Sequence, residues 1–147
     1  MECFKTFRKA PPSQLIMTLL VKNEESMLEE NLLFHKAMGV DSFIITDNNS
    51  TDSTPEIIRK YKQKGWIKEV IEEKATDYEQ KEWVDRMIWK AKTIYKADWI
   101  INADADELWY SPSGNLKTDL SATHANVLNC EMRSVYPEEN QPFWQWD

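Results

Sequence analysis

The run Leu15-Ile16-Met17-Thr18-Leu19-Leu20-Val21 is apolar at every position but Thr18. A strand with one wet face alternates; a continuous run needs cover on both faces, the condition of a parallel sheet. Parallel neighbours in turn need crossovers long enough to hold a helix. Phe43-Ile44-Ile45-Thr46, Trp66-Ile67-Lys68-Glu69-Val70-Ile71 and Trp99 to Asn102 are the further strands, with Asn126 to Met132 as a fifth candidate. Asn23 is placed to cap a first helix, with Glu24 and Glu25 in its first turn and Gly39 as a left-handed stop. Ser53 or Thr54 with Pro55 begins a second helix, which runs to about Gly65. Trp83, Met87, Ala91 and Ile94 lie at helical spacing in a third, from roughly Tyr78 to Tyr95. The alternation predicts an α/β sandwich with a mainly parallel sheet.

Composition narrows the chemistry. The formal charge is −7, from 18 basic and 25 acidic side chains, so nucleic acid is excluded as a partner for want of a basic face. With three glycines, the chain has neither G-x-G-x-x-G nor G-x-x-x-x-G-K, which removes dinucleotide dehydrogenases and P-loop enzymes. Cys3 and Cys130 form no C-x-x-C and no disulfide framework, which points to a reducing compartment. No apolar run is long enough for an integral membrane segment, and Met1 to Lys5 lacks the apolar core of a signal peptide. The expectation is a cytoplasmic protein, with a peripheral contact at the membrane left open.

The acids carry the chemistry. Asp104-Ala105-Asp106-Glu107 follows the apolar fourth strand. Carboxylates this close repel one another, and a hard divalent cation, magnesium or manganese, relieves them through oxygen ligands. In an open parallel sheet, ligands collect beyond the carboxyl ends of the strands. Three polar groups fall at such ends: Lys22-Asn23-Glu24, Asp47 to Asp52, and Asp104 to Glu107. Asp47 either accepts from a base or ribose or closes an Asx turn toward Pro55. The loop lacks the central glycine and terminal glutamate of an EF-hand. Glu107 either touches metal or acceptor or pairs with a lysine. Gln80, Lys81 and Arg86 lie ahead of the acids on the third helix, mainly as a solvated face. Trp109 and Tyr110 are either a sugar platform or packing under a loop. His35, mid-helix among apolar neighbours, reads as a packed or hydrogen-bonded side chain rather than a ligand, and His124 carries no motif.

Together, Val21-Lys22-Asn23-Glu24, His35-Lys36-Ala37-Met38-Gly39-Val40-Asp41, Thr46-Asp47-Asn48-Asn49-Ser50-Thr51-Asp52, Asp98-Trp99 and Asp104-Ala105-Asp106-Glu107 resemble family-2-type glycosyltransferases. The H-x-x-x-G-V-D and D-x-D-E versions also resemble the related family-92 group. The resemblance covers roughly residues 15 to 110 and implies a GT-A-type, Rossmann-like α/β/α sandwich. It implies a nucleotide-diphospho-sugar donor, usually a UDP-sugar, with Mn2+ or Mg2+, and a saccharide or other hydroxyl acceptor. Leu20 to Asn23, Lys22 among them, would lie against base and ribose, and Asp47 and Asn49 would join them from the second strand's loop. Asp104 would reach the ribose or the metal, and Asp106 would ligate the metal that bridges the diphosphate.

The acceptor half and general base of that family lie downstream of the acids, where this sequence offers Glu138, Glu139 and Asp147 with nothing to assign one of them as base. The expectation is a single nucleotide-sugar-binding domain over residues 1–147, corresponding to the donor-binding half, with a partner chain or missing carboxyl-terminal half completing transfer. Two classes follow: a metal-dependent glycosyltransferase, and a non-catalytic nucleotide-sugar-binding remnant or regulatory subunit. A nucleotidyltransferase is a distant third, since its glycine-rich basic phosphate loop is absent.

Overall fold

The computed structural model describes residues 14–74, 80–123, 125–128 and 130–134. Four strands, β1 (Leu15–Val21), β2 (Ser42–Asp47), β3 (Ile67–Glu72) and β4 (Trp99–Asp104), alternate with helices α1 (Leu28–Ala37), α2 (Thr54–Gln63) and α3 (Gln80–Thr93), and a short α4 (Leu116–Ser121) follows. The sheet order is β3-β2-β1-β4 and every pairing is parallel. The continuous apolar run is therefore a central strand. Its Leu15, Met17 and Leu19 pack under α1, α2 and α4 with Leu28, Leu32, Ile58, Tyr61 and Leu116. Its Ile16 faces the other way, onto Met87 and Ala91 of α3. Each such side chain, fully withdrawn from water, contributes about 1.5–3 kcal/mol.

The amino ends of the strands are pinned by acids. Asp41 accepts from the Leu15 N–H at 2.8 Å and from Lys117 Nζ at 2.9 Å. Asp98 accepts from the Gln14 N–H at 2.7 Å. Gly39 sits at φ +96°, and a Cβ there would meet Asn115 Oδ1 at 2.8 Å, so both the turn and the close approach demand glycine.

Three expectations are corrected. α1 starts at Leu28, not beside Asn23; Glu24 and Glu25 precede it, and Glu29 and Glu30 occupy its first turn. The buried stripe of α1 is Leu28, Asn31, Leu32 and His35, two apolar and two polar side chains. The described residues of Asn126 to Met132 form no strand, and Val127 and Met132 are both 84% exposed, so that run has no sheet to bury it. Trp83, Met87 and Ala91 are buried as the spacing predicts, whereas Ile94 lies past the end of α3 and is exposed. Tyr78, His124, Cys3, Glu138, Glu139 and Asp147 lie outside the described residues.

Candidate functional site

Parallel register carries the strand ends to one edge: Leu20 pairs with Asp104 and Val21 with Asp47. Beyond that edge opens a cleft of about 240 Å³. Leu20, Val21, Lys22 and Glu24 line it from the end of β1, Asn48 from the end of β2, and Asp104, Ala105 and Asp106 from β4. Exposure alternates along the last segment: Ala103 and Ala105 are buried, Asp104 and Asp106 exposed. The pleat sets this for Ala103 and Asp104, and the turn that follows β4 continues it for Ala105 and Asp106. Glu24 feels them. Partial burial, then the charges of Asp106, Asp52 and Asp104, hold its carboxyl above the usual carboxylate range. Among the described residues no three His, Cys, Asp or Glu side chains form a group that could enclose a metal by themselves. Magnesium does not need one, because it is held by one or two carboxylates with substrate phosphates and water completing the shell.

Of the predicted residues, Leu20, Lys22, Asp104 and Asp106 line this cleft, while Asn23, Asp47 and Asn49 do not. Asn23, at φ 58°, ties two loops together. Its Oδ1 accepts from the Thr51 N–H at 2.8 Å, and its own N–H donates to Ser50 Oγ at 3.0 Å. The seam continues through Glu24 N–H to Thr54 Oγ1 at 2.8 Å and Glu25 N–H to Asp52 Oδ2 at 3.1 Å. Asp47 closes the Asx turn: Oδ1 accepts from the Ser50 N–H at 3.1 Å and hydroxyl at 2.6 Å. Asn49 is exposed at φ 55°, a left-handed position that asparagine tolerates. Glu24 and Asn48, outside the predicted set, also face the cleft. The signal for Glu24 was its place in the polar group after β1; Asn48 gave none beyond lying next to Asp47.

Beneath the acids lies a polar chain. Asn31 Nδ2 donates to the carbonyls of Ala105 and Glu107 at 2.9 and 3.0 Å. His35 Nδ1 lies 2.9 Å from Asn31 Oδ1 and from the Asn31 carbonyl. His35 Nε2 accepts from the Trp109 N–H at 2.9 Å. A backbone N–H only donates, so Nε2 is the bare nitrogen and Nδ1 carries the proton. Burial pushes the imidazole down to about 4, against a weaker upward pull from its bond to Asn31. His35 is thus a satisfied core histidine, as the sequence suggests. Among the described residues Glu107 pairs with no lysine and does not line the cleft; its Oε2 accepts from the Asp104 N–H at 3.4 Å. Trp109 packs against the core, and Tyr110 is 67% exposed. Gln80 and Lys81 are exposed, whereas Arg86 reaches back to Glu73 at 2.7 Å.

An all-parallel α/β sheet domain of this kind is matched by solved structures of GT-A-like glycosyltransferases. The mannosyltransferase PcManGT from Pyrobaculum calidifontis, solved with GDP-Man and Mn2+, matches at TM-score 0.52 and 18% identity over 69% of this chain and 30% of its own. TarS of S. aureus matches at TM-score 0.54 and 17% identity, over 74% of this chain and 19% of its own. A TarS structure of residues 1–349 gives 0.51 and 17%, over 74% of this chain and 31% of its own. The chain therefore spans between about a fifth and a third of these relatives' length. No curated relative matches it. The family is settled by residues 17–131, which match the model of glycosyltransferase family 92: the chain belongs to that family. Among the described residues no helix is long and apolar enough to cross a membrane.

Proposed function

We propose that this domain binds a nucleotide-diphospho-sugar, a UDP-sugar first among the candidates, at the cleft beyond β1 and β4, for transfer of the sugar to an acceptor hydroxyl. The observation that carries the reading is the pair Asp104 and Asp106, turned out of the core into one cleft with Glu24, whose carboxyl is raised by burial first and by their charges second. These two carboxylates would hold Mn2+ or Mg2+; PcManGT was solved with GDP-Man and Mn2+. When bound, the metal neutralises a diphosphate leaving group. Lys22, exposed at the cleft, adds a positive charge for the phosphates. Leu20 and Val21 offer an apolar wall and strand-end backbone groups to base and ribose. Asp47 keeps Oδ2 for a ligand, since its turn occupies Oδ1; Asn23 and Asn49 act by holding or flanking the loop it anchors. The single domain, the saccharide or other hydroxyl acceptor and the cytoplasmic compartment, with a peripheral membrane contact, belong to the same proposal.

A second reading is donor binding without turnover, by a domain that needs a partner chain or further sequence to transfer. Its support is that no described acid is placed as a general base. Calorimetric titration with UDP, UDP-sugars and GDP-mannose, with and without Mn2+, beside a donor-hydrolysis assay, separates the two. Metal-dependent binding with hydrolysis or transfer supports the enzyme; binding alone supports the second reading. No binding to any of these ligands sinks both.

A further inference from the structure

The acids of the proposed site sit on a segment that leaves the sheet after Asp104, where strand pairing no longer fixes its path. Something else must fix it. Three backbone groups at alternate positions, the Ala105 carbonyl, the Glu107 carbonyl and the Trp109 N–H, are all held by side chains of α1. Asn31 and His35, one turn apart and both fully buried, supply every bond. The pair is also self-orienting. Asn31 has one carboxamide oxygen and one NH2; the His35 Nδ1–H takes the oxygen, which leaves the NH2 for the two carbonyls. Turning the amide over would set donor against donor and acceptor against acceptor, and turning the ring over would put C–H groups where both nitrogens now bond. Two polar side chains buried on a helix face are costly unless fully partnered, and here each polar atom has a partner.

We infer that Asn31 and His35 are positioning residues for the acidic loop, fixing the backbone around Asp106 so that the carboxylates hold a metal–diphosphate while neither residue touches it. The inference rests on the proposed donor site. Outer partners that orient a metal's ligands characteristically change affinity by about 10–100-fold when removed. Asn31→Ala leaves Asp104 and Asp106 in place but frees two carbonyls and unseats the ring.

The test is titration of wild type, Asn31→Ala, His35→Ala, His35→Gln and Asp106→Ala with whichever of UDP or GDP the wild type binds, with and without Mn2+. Asn31→Ala and His35→Ala should weaken the Mn2+-dependent component by about tenfold or more and leave the metal-free component unchanged. His35→Gln, whose side-chain carbonyl can serve the Trp109 N–H, should recover part of the loss. Equal weakening of both components would mark a general loss of structure and overturn the inference. Wild-type affinity in Asn31→Ala with lost affinity in Asp106→Ala overturns the inference and leaves the site standing. Wild-type affinity in Asp106→Ala overturns the site itself. If the α1 variants do not fold, the wild type decides, because coupling is reciprocal. Saturation with Mn2+ and nucleotide should slow hydrogen exchange at the Trp109 amide, and unchanged exchange overturns the inference.

Discussion

Acids stand at both ends of this sheet, and the two ends treat them oppositely. At the amino end, Asp41 and Asp98 accept backbone N–H groups from the start of β1, and Asp41 also pairs with Lys117. At the carboxyl end, Asp104 and Asp106 face a cleft with Glu24, and their charge adds to burial in raising the Glu24 carboxyl. Both ends supply motifs of the family pattern. A motif acid is therefore not automatically a site acid: Asp41 and Asp98 are satisfied by the chain and hold the fold, whereas Asp104 and Asp106 are the pair the proposed function assigns to a ligand.

The sharpest way to break this contrast is to exchange the consequences. Asp106→Ala should cut metal-dependent nucleotide affinity by roughly 10²–10³-fold without lowering the melting temperature. Calorimetry beside thermal unfolding checks both, and a large stability loss would place Asp106 with the structural acids. His35, which links α1 to the acidic loop, should make stability pH-dependent. The unfolded chain takes up its proton near 6.5, the folded chain only near 4. Its contribution is therefore complete above 6.5 and is lost as pH falls toward 4, up to about 3 kcal/mol. Urea unfolding across that window should show the slope in wild type and a shallower one in His35→Gln. Asp41→Ala should cost about 2 kcal/mol by freeing the Leu15 N–H and Lys117, with the metal-dependent affinity of the folded fraction kept. The smallest effect belongs to Glu24. Its raised carboxyl titration means the charged form is disfavoured by the fold, a cost that appears as pH rises through that value. Glu24→Gln should then stabilise the protein at neutral pH by about half a kcal/mol or less, because the group is largely open to screening. A melting temperature that falls instead would show that Glu24 is compensated by the chain.

Periodicity was enough for the strands. The runs at Leu15, Phe43, Trp66 and Trp99 became β1 to β4 within a residue or two: the central β1 and β2 are buried along continuous apolar runs, and the half-exposed edge strands β3 and β4 keep short apolar runs between turns. The place of Asp104 and Asp106 was legible for the same reason, since strand ends converge once the sheet is parallel. What stayed hidden depends on contacts between distant segments. Asn31 and His35 meet the acidic loop across some 75 residues, and nothing at Leu28 to Ala37 says which backbone groups will need them. Asn23 has the chemistry of a helix cap, but the loop from Ser50 to Thr54 competes for it and wins. Asn126 to Met132 has strand composition, but among the described residues no strand pairs with it, so local propensity had nothing to build on.

Mn2+ itself gives the most direct test. Added with UDP or GDP to the isotopically labelled protein, it should broaden the amide signals of Leu20, Lys22, Asp104, Ala105 and Asp106. Those of Asp41 and Asp98, at the opposite end of the sheet, should stay sharp, and Asp106→Ala should abolish the broadening. Broadening centred on the amino end, or an undiminished carboxyl-end effect in Asp106→Ala, would contradict the assignment of these acids to a metal–diphosphate site.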